Sequence, residues 1–228
     1  MLPEFERYAE DYAELIRDPI RDRFAPDSSF FAERKLILIR DFYRRFGKST
    51  RTAGWVDVGC GMGELLRRGK EHFALVSGCD PSARMLQRCK GLDVYLQESS
   101  ARLPFPSCAF DLVTAVCIYH HVEPPLRQHL TREIVRILKP EGIFCMIEHN
   151  PFNPATRLIV RRTPVDAGAQ LLTAAGARNI MRAAGMQVVE TRYFLYFPER
   201  LYARCARFEG ALSHVPLGGQ FAVFSQKL

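Results

Sequence analysis

The chain reads as an α/β protein built around a parallel sheet, and three observations lead there. From Trp55 onward, short apolar runs alternate with amphipathic segments, the pattern of successive strand–helix–strand units. The first run, Trp55 to Val58, is followed by Gly59, Gly61 and Gly63 and then by a segment of helical character. Strand, glycine turn and helix in that order open a nucleotide-type crevice at the carboxyl end of a parallel sheet. The length, 228 residues, suits one domain with a sizeable core.

In chain order, residues 1–48 read as helical. Phe5, Tyr8, Tyr12, Leu15 and Ile16 recur at three- and four-residue steps, Pro19 and Pro26 interrupt, and a second helix runs from Ser28, as N-cap, to Gly47. Strands are expected at 55–58, 74–79, 93–96, 110–117 and 143–148, with helices at 64–73, 82–89 and 125–138. The last of these helices meets stop signals at Lys139-Pro140-Glu141-Gly142. Beyond Glu148 come a short basic helix at 155–162 and a helix at 173–184 closed by Gly185. A strand-like run at 186–197, a helix at 198–212 and a final strand at 220–225 complete the chain. We therefore divide a single domain into an N-terminal helical cap or lid (1–50), a central core (51–150) and a C-terminal completion with acceptor-side elements (151–228).

Composition excludes several classes. Hydrophobic residues make up 47% and charged residues 25%, ordinary for a globular protein, and no apolar run approaches the length of a membrane span. The charged N-terminus lacks a signal core, so a cytoplasmic location is expected. Seven scattered cysteines without a Cys-x-x-Cys pair point to a reducing compartment and away from a zinc site; no metal is expected. The net charge of +7 is uneven: residues 1–50 are neutral, 51–150 carry +1 and 151–228 carry +6.

The glycine pattern narrows the ligand. In a dinucleotide site the third glycine falls where this chain has Glu64, and no phosphate-binding G-x-x-x-x-G-K-[ST] loop is present. Asp80 ends the next apolar run, where a carboxylate can accept both hydroxyls of a ribose or cap the helix that follows Pro81. Asp57 lies inside an apolar strand, where an unpaired carboxylate is costly, so it should answer backbone amides or a cationic ligand group such as an amine.

Together these segments resemble the class I S-adenosylmethionine-dependent methyltransferases, nearest to the small-molecule enzymes of ubiquinone and menaquinone biosynthesis. The resemblance covers about residues 54–148, in order: Asp57-Val-Gly-Cys-Gly-Met-Gly, Gly78-Cys-Asp-Pro-Ser-Ala-Arg-Met-Leu, Leu103-Pro-Phe-Pro-Ser-Cys-Ala-Phe-Asp-Leu-Val, Ile118-Tyr-His-His-Val and Arg136-Ile-Leu-Lys-Pro-Glu-Gly-Ile-Phe. It implies a Rossmann-like seven-stranded, mostly parallel sheet with helices on both faces and the last strand antiparallel. S-adenosylmethionine would be the cofactor and S-adenosylhomocysteine the product. Its site would be formed by Asp57, Gly59, Cys60, Gly61, Gly63, Asp80, Pro81, Met85, Ser99, Ser100, Val116 and Cys117. Ser99 stands where the family often has an aspartate for the adenine amino group, and a serine oxygen can accept the same bond without the charge.

Methyl transfer asks mainly for alignment and exclusion of water, with a base when the acceptor must lose a proton. His120 and His121 are the candidate bases. On the acceptor side we place Tyr8 and Tyr12 as a lid, Glu148, His149 and Asn150 at the end of the fifth strand, and Arg161 among the arginines of the basic last third. The expected activity is methyl transfer to a small molecule, anionic or lipid-linked, with peripheral membrane contact compatible with the basic segment and no nucleic-acid partner. The rivals are an RNA methyltransferase, for which no attached RNA-binding module or Asn-Pro-Pro-Tyr-type motif is visible, and a non-catalytic S-adenosylmethionine-binding partner protein.

Overall fold

A computed structural model describes residues 4–99 and 102–228. Seven strands form one sheet: β1 (Gly54–Val58), β2 (Leu75–Asp80), β3 (Asp93–Leu96), β4 (Phe110–Val116), β5 (Leu138–His149), β6 (Met186–Phe194) and β7 (Gln220–Lys227). Their order is β3-β2-β1-β4-β5-β7-β6, with β7 antiparallel to both its neighbours and the other pairs parallel. The order reverses between β1 and β4, and in such sheets the crevice outside the carboxyl ends at that switch is where ligands bind.

Side-chain alternation sends one set of residues to each face. Trp55, Leu112, Ile143, Cys145 and Phe224 pack beneath the long helix α3 (Ser28–Arg45), where Phe42 stacks on Phe224 at 4.0 Å. Val56, Val58, Val113, Phe144 and Val223 face α6 (Pro124–Ile137) and α8 (Ala174–Ala183). Short helices α4 (Glu64–Gly69) and α5 (Ala83–Gln87) bridge the first three strands. α7 (Pro154–Arg162) follows β5, and α9 (Glu199–Leu212) lies between β6 and β7. Among the described residues no helix is long and apolar enough to cross a membrane.

Several boundaries differ from expectation for local reasons. The N-terminal segment is not one helix but a turn at Glu4–Arg7 followed by α1 (Tyr12–Leu15) and α2 (Pro19–Phe24). Pro19 begins α2, because Asp18 accepts from the Ile20 and Arg21 amides and a proline at the first position forfeits no helical bond. Asp27, not Ser28, caps α3, and Ser82, not Asp80, caps α5. The stop residues after α6 do not form a loop: β5 starts directly at Leu138, and the chain turns within it at Glu141, whose φ is +59°. β6 ends at Phe194, short of Phe197, because the next two amides, of Leu195 and Tyr196, point to the Glu209 carboxylate and not to a neighbouring strand.

Candidate functional site

The crevice above β1 and β4 opens into a cavity of about 670 Å³, inside the range of small-molecule sites. Its floor is the turn after β1. The Gly59 and Cys60 amides both donate to the Cys79 carbonyl, which ties the turn to β2. Gly61 adopts φ +52° with no protein atom within 4 Å of where a Cβ would sit, so the backbone lies bare toward the cavity it lines. Gly63 serves packing: at φ +73° a Cβ would lie 2.5 Å from Leu92 and 3.0 Å from the Cys89 sulfur.

Asp80 sits beside this turn. One carboxylate oxygen accepts from the Gly61 amide at 2.9 Å and the other from the Ser82 amide at 2.8 Å. A carboxylate has about four lone-pair positions, so acceptor capacity is left over beside the cavity. Burial raises the Asp80 pKa against the pull of these two amides.

Asp57 lies deeper. Its partner is neither a backbone amide nor, among the described residues, an ion-paired cation. Thr114, directly opposite on β4, donates to it at 2.5 Å and itself accepts from the Trp55 indole at 2.8 Å. Burial pushes the Asp57 carboxyl up to about 7, eased by the Thr114 bond and by the charge of Lys35 on α3. Lys35 also lines the cavity. The floor thus presents a protonatable carboxyl and an ammonium, a pairing suited to a zwitterionic amino-acid group.

The opposite wall is a histidine–carboxylate cluster. His120 Nδ1 bonds Glu148 at 2.5 Å, while Glu148 also accepts from the Tyr119 amide at 2.7 Å. Asp166, from the turn after α7, lies 3.4 Å from the Nε2 atoms of both His120 and His121. For His120 this second contact is a charge contact without hydrogen-bond alignment. Burial disfavours an imidazolium at His120, but the Glu148 charge and the contacts with Asp166 and Glu148 outweigh it and raise the ring to about 10. Burial and the neighbouring His120 charge press His149 down to about 4. Asp166 is held well below the usual carboxylate range: its burial is overcome by its contacts with the two histidines. His120 is therefore a cation clamped between two anions at neutral pH. His121 is the ring that combines a carboxylate neighbour with partial exposure, and Phe5 meets it edge-on at 4.8 Å. The ligand atoms of His120, His121 and Asp166 lie within 4.8 Å of one another, a spacing that could also hold a divalent cation.

The other expected residues fall into two groups. Asp57, Gly59, Cys60, Gly61, Asp80, Pro81, Met85, Val116, Cys117, Tyr12, His120, His121 and His149 all line the cavity. Gly63 backs the turn as described. Glu148 is wholly buried behind His120 and supports that ring, not the crevice surface. Asn150 is also turned inward, its amide donating to the Pro216 and Gly218 carbonyls. Tyr8 reaches the Pro164 carbonyl at the rim. Arg161 projects to solvent from the outer face of α7, whose inner face is Thr156 and Val160. Ser99 is exposed and bridges to Arg102, while Gln97, two residues earlier, takes the lining position. Ser100 lies outside the described residues. Asp166, Lys35 and Gln97 are wall residues that the sequence did not single out, and Phe5, read there only as part of a helical face, is a fourth. Asp166 follows a proline in a short turn with no motif around it, and Lys35 is one charge among many on a long helix.

The residues present fit S-adenosylmethionine. Asp80 would offer a ribose acceptor, Met85, Pro81 and Gln97 an apolar and amide wall for a base, the bare Gly61 backbone a close approach, and Asp57 with Lys35 partners for a zwitterion, all lining one cavity. Comparison with known proteins agrees. Residues 56–146 match the family model described as a methyltransferase domain. An uncharacterized methyltransferase of Synechocystis is 34% identical over 103 residues, which are 43% of this chain and 48% of that protein. A ubiquinone biosynthesis O-methyltransferase of Haemophilus ducreyi is 30% identical over 127 residues, 50% of this chain and 51% of that protein. The chain thus spans about half the length of these relatives. The crystal structure of a Thermotoga maritima S-adenosylmethionine-dependent methyltransferase, described as a possible histamine N-methyltransferase, shares the fold with a TM-score of 0.68 over 98% of both chains at 19% identity. The glycine turn, Asp57 and Asp80 all lie inside the stretch that matches the methyltransferase-domain model, and the seven-stranded sheet around them has the fold of solved S-adenosylmethionine-dependent methyltransferases.

Proposed function

We propose that the protein transfers a methyl group from S-adenosylmethionine to a small-molecule acceptor that has an apolar body and a protonated group to be methylated. One observation carries this reading: a single cavity joins the Asp80–Gly61 floor to the His121–Asp166 pair. When bound, S-adenosylmethionine supplies a sulfonium-activated methyl group. Asp80 holds the ribose, Asp57 and Lys35 hold the amino-acid end, and Val116 and Cys117 flank it. His121 takes the acceptor proton on the ring nitrogen away from Asp166, and Asp166, beside Nε2, stabilises the resulting imidazolium. His120, already charged and locked to Glu148, positions Asp166 and does not act as the base.

The rest of the wall describes the acceptor. Phe24, Phe31, Ile20, Ile159, Leu195 and Leu217 line the space with apolar surface, and Arg21 adds a cation among them. An anionic or lipid-linked molecule fits that combination, and Phe5 and Tyr12 close over it to exclude water. The test is to incubate the protein with S-adenosylmethionine and fractionated cell extract, measuring S-adenosylhomocysteine and the mass gain of one methylene in a lipid-phase or acidic metabolite. Product appearing with bulk RNA, or no product with any fraction, would overturn the reading.

A further inference from the structure

We infer that α9, the loop that follows it and the start of α7 form a surface that docks on an anionic lipid bilayer, with the cavity mouth at its edge. The way α9 is held is the first indication. Of its fourteen residues only Glu209 is buried, and that residue is paired with the buried Arg34 of α3. Tyr202 completes the attachment, with the Arg34 guanidinium 3.6 Å above its ring. A surface helix normally turns its apolar stripe to the core. Here the inward anchor is an ion pair with Tyr202 beside it, while along the apolar stripe Leu201 and Phe208 stay exposed and Cys205 and Leu212 half-buried.

That stripe is Leu201, Cys205, Phe208 and Leu212, at three- and four-residue steps, with Phe208 66% exposed. It continues along the chain through Val215 and Leu217, the latter 59% exposed. The Asn153 side chain donates to the Leu217 carbonyl at 2.7 Å, which brings the exposed Phe152 alongside. Leu217 and Asn153 line the cavity, so the stripe ends at its mouth.

On the same helix stand Arg200, Arg204 and Arg207, and α7 carries Arg157 and Arg161, all exposed and, among the described residues, outside every ion pair. Unpaired arginines flanking exposed aromatic and aliphatic side chains on one helix are the makeup of an element that lies in a membrane interface. The arginines match an anionic headgroup layer, and Phe208 and Phe152 match the acyl boundary beneath it. A polyanion such as RNA would use the first set and leave the second in water.

The test uses the full chain and needs no acceptor. Co-sedimentation is measured with vesicles of phosphatidylcholine alone and with about one-third phosphatidylglycerol, at about 0.1 M and about 0.5 M salt. Binding is expected to the anionic vesicles only and to weaken at the higher salt. The Arg204→Glu/Arg207→Glu variant should lose at least about tenfold in affinity, and so should Phe152→Ser/Phe208→Ser. Both should keep wild-type affinity for S-adenosylhomocysteine, which shows that they fold and separates this inference from the activity proposed above. No binding to anionic vesicles, or equal binding to neutral ones, would overturn it. So would full binding by the Phe152→Ser/Phe208→Ser variant, which would mean attraction to polyanions alone.

Discussion

The affinity for S-adenosylhomocysteine should depend on pH through Asp57. Its carboxyl, pushed up by burial to about 7, is neutral in much of the free protein below that pH. Pairing with an ammonium requires the ionised form, so binding must displace the proton. Affinity is therefore full above pH 7 and falls as pH drops, since each unit below the pKa costs about 1.4 kcal/mol, a factor of ten. Between pH 7.5 and about 5.5 the dissociation constant should rise by more than tenfold. Asp57→Asn tests the cause, because an amide oxygen still accepts from Thr114 while carrying no charge at any pH. The variant should bind weakly at pH 7.5, and its affinity should hardly change down to pH 5.5. Isothermal calorimetry in two buffers of different ionisation heat would also count the proton released by the wild type. A wild-type affinity flat over this range, or an Asp57→Asn variant that keeps the wild-type slope, would refute the reasoning.

Three further outcomes are expected. His121→Asn should lower methyl transfer by about 10²–10⁴-fold while leaving S-adenosylhomocysteine affinity unchanged, and a chelator should leave the wild-type rate unchanged; loss of activity on chelation would instead assign the His120–His121–Asp166 cluster to a cation. Gly63→Ala should destabilise the fold by about 2–4 kcal/mol in urea titrations, since its methyl would meet Leu92 in a left-handed backbone. The His120 pair is a pH-dependent support: a ring raised from 6.5 to about 10 contributes stability that is complete below about pH 6.5 and is lost as pH rises through 10. Glu148→Gln should flatten that alkaline decline in a thermal-melt series from pH 7 to 10; an unchanged decline would mean that the pair does not hold the proton.

Much of this site was legible because its chemistry is local. The turn at Gly59–Gly63 needs left-handed backbone at three alternate residues, a demand that glycine writes directly into the sequence. Asp80 and Asp57 stand out because a carboxylate at the end of, or inside, an apolar run is costly unless a specific partner answers it. β3 was recognisable at its observed bounds because a short run opening at Asp93 is closed by the polar Gln97-Glu98-Ser99-Ser100. What stayed hidden depends on long-range placement. Asp166 reaches His121 from 45 positions away in sequence, through a turn set by α7 packing. Glu148 does lie at the end of the fifth strand, and Asn150 directly after it, but strand position does not say which residues a neighbouring loop will draw inward. Asn150 is taken by the 216–218 carbonyls and Glu148 by His120. The N-terminal face of Phe5, Tyr8 and Tyr12 had helical spacing, yet the chain turns between Arg7 and Tyr12, so Tyr12 faces the cavity and Tyr8 its rim.

The central claim, that the crevice between β1 and β4 holds S-adenosylmethionine through Asp80, is tested most directly by calorimetric titration of S-adenosylhomocysteine into the wild type and Asp80→Asn. The amide keeps an oxygen for one backbone donor and loses the charge that strengthens the ribose bonds. Saturable one-to-one binding by the wild type is therefore predicted, with a loss of at least about tenfold in the variant. Wild-type protein that binds nothing, or a variant that binds equally well, would contradict it.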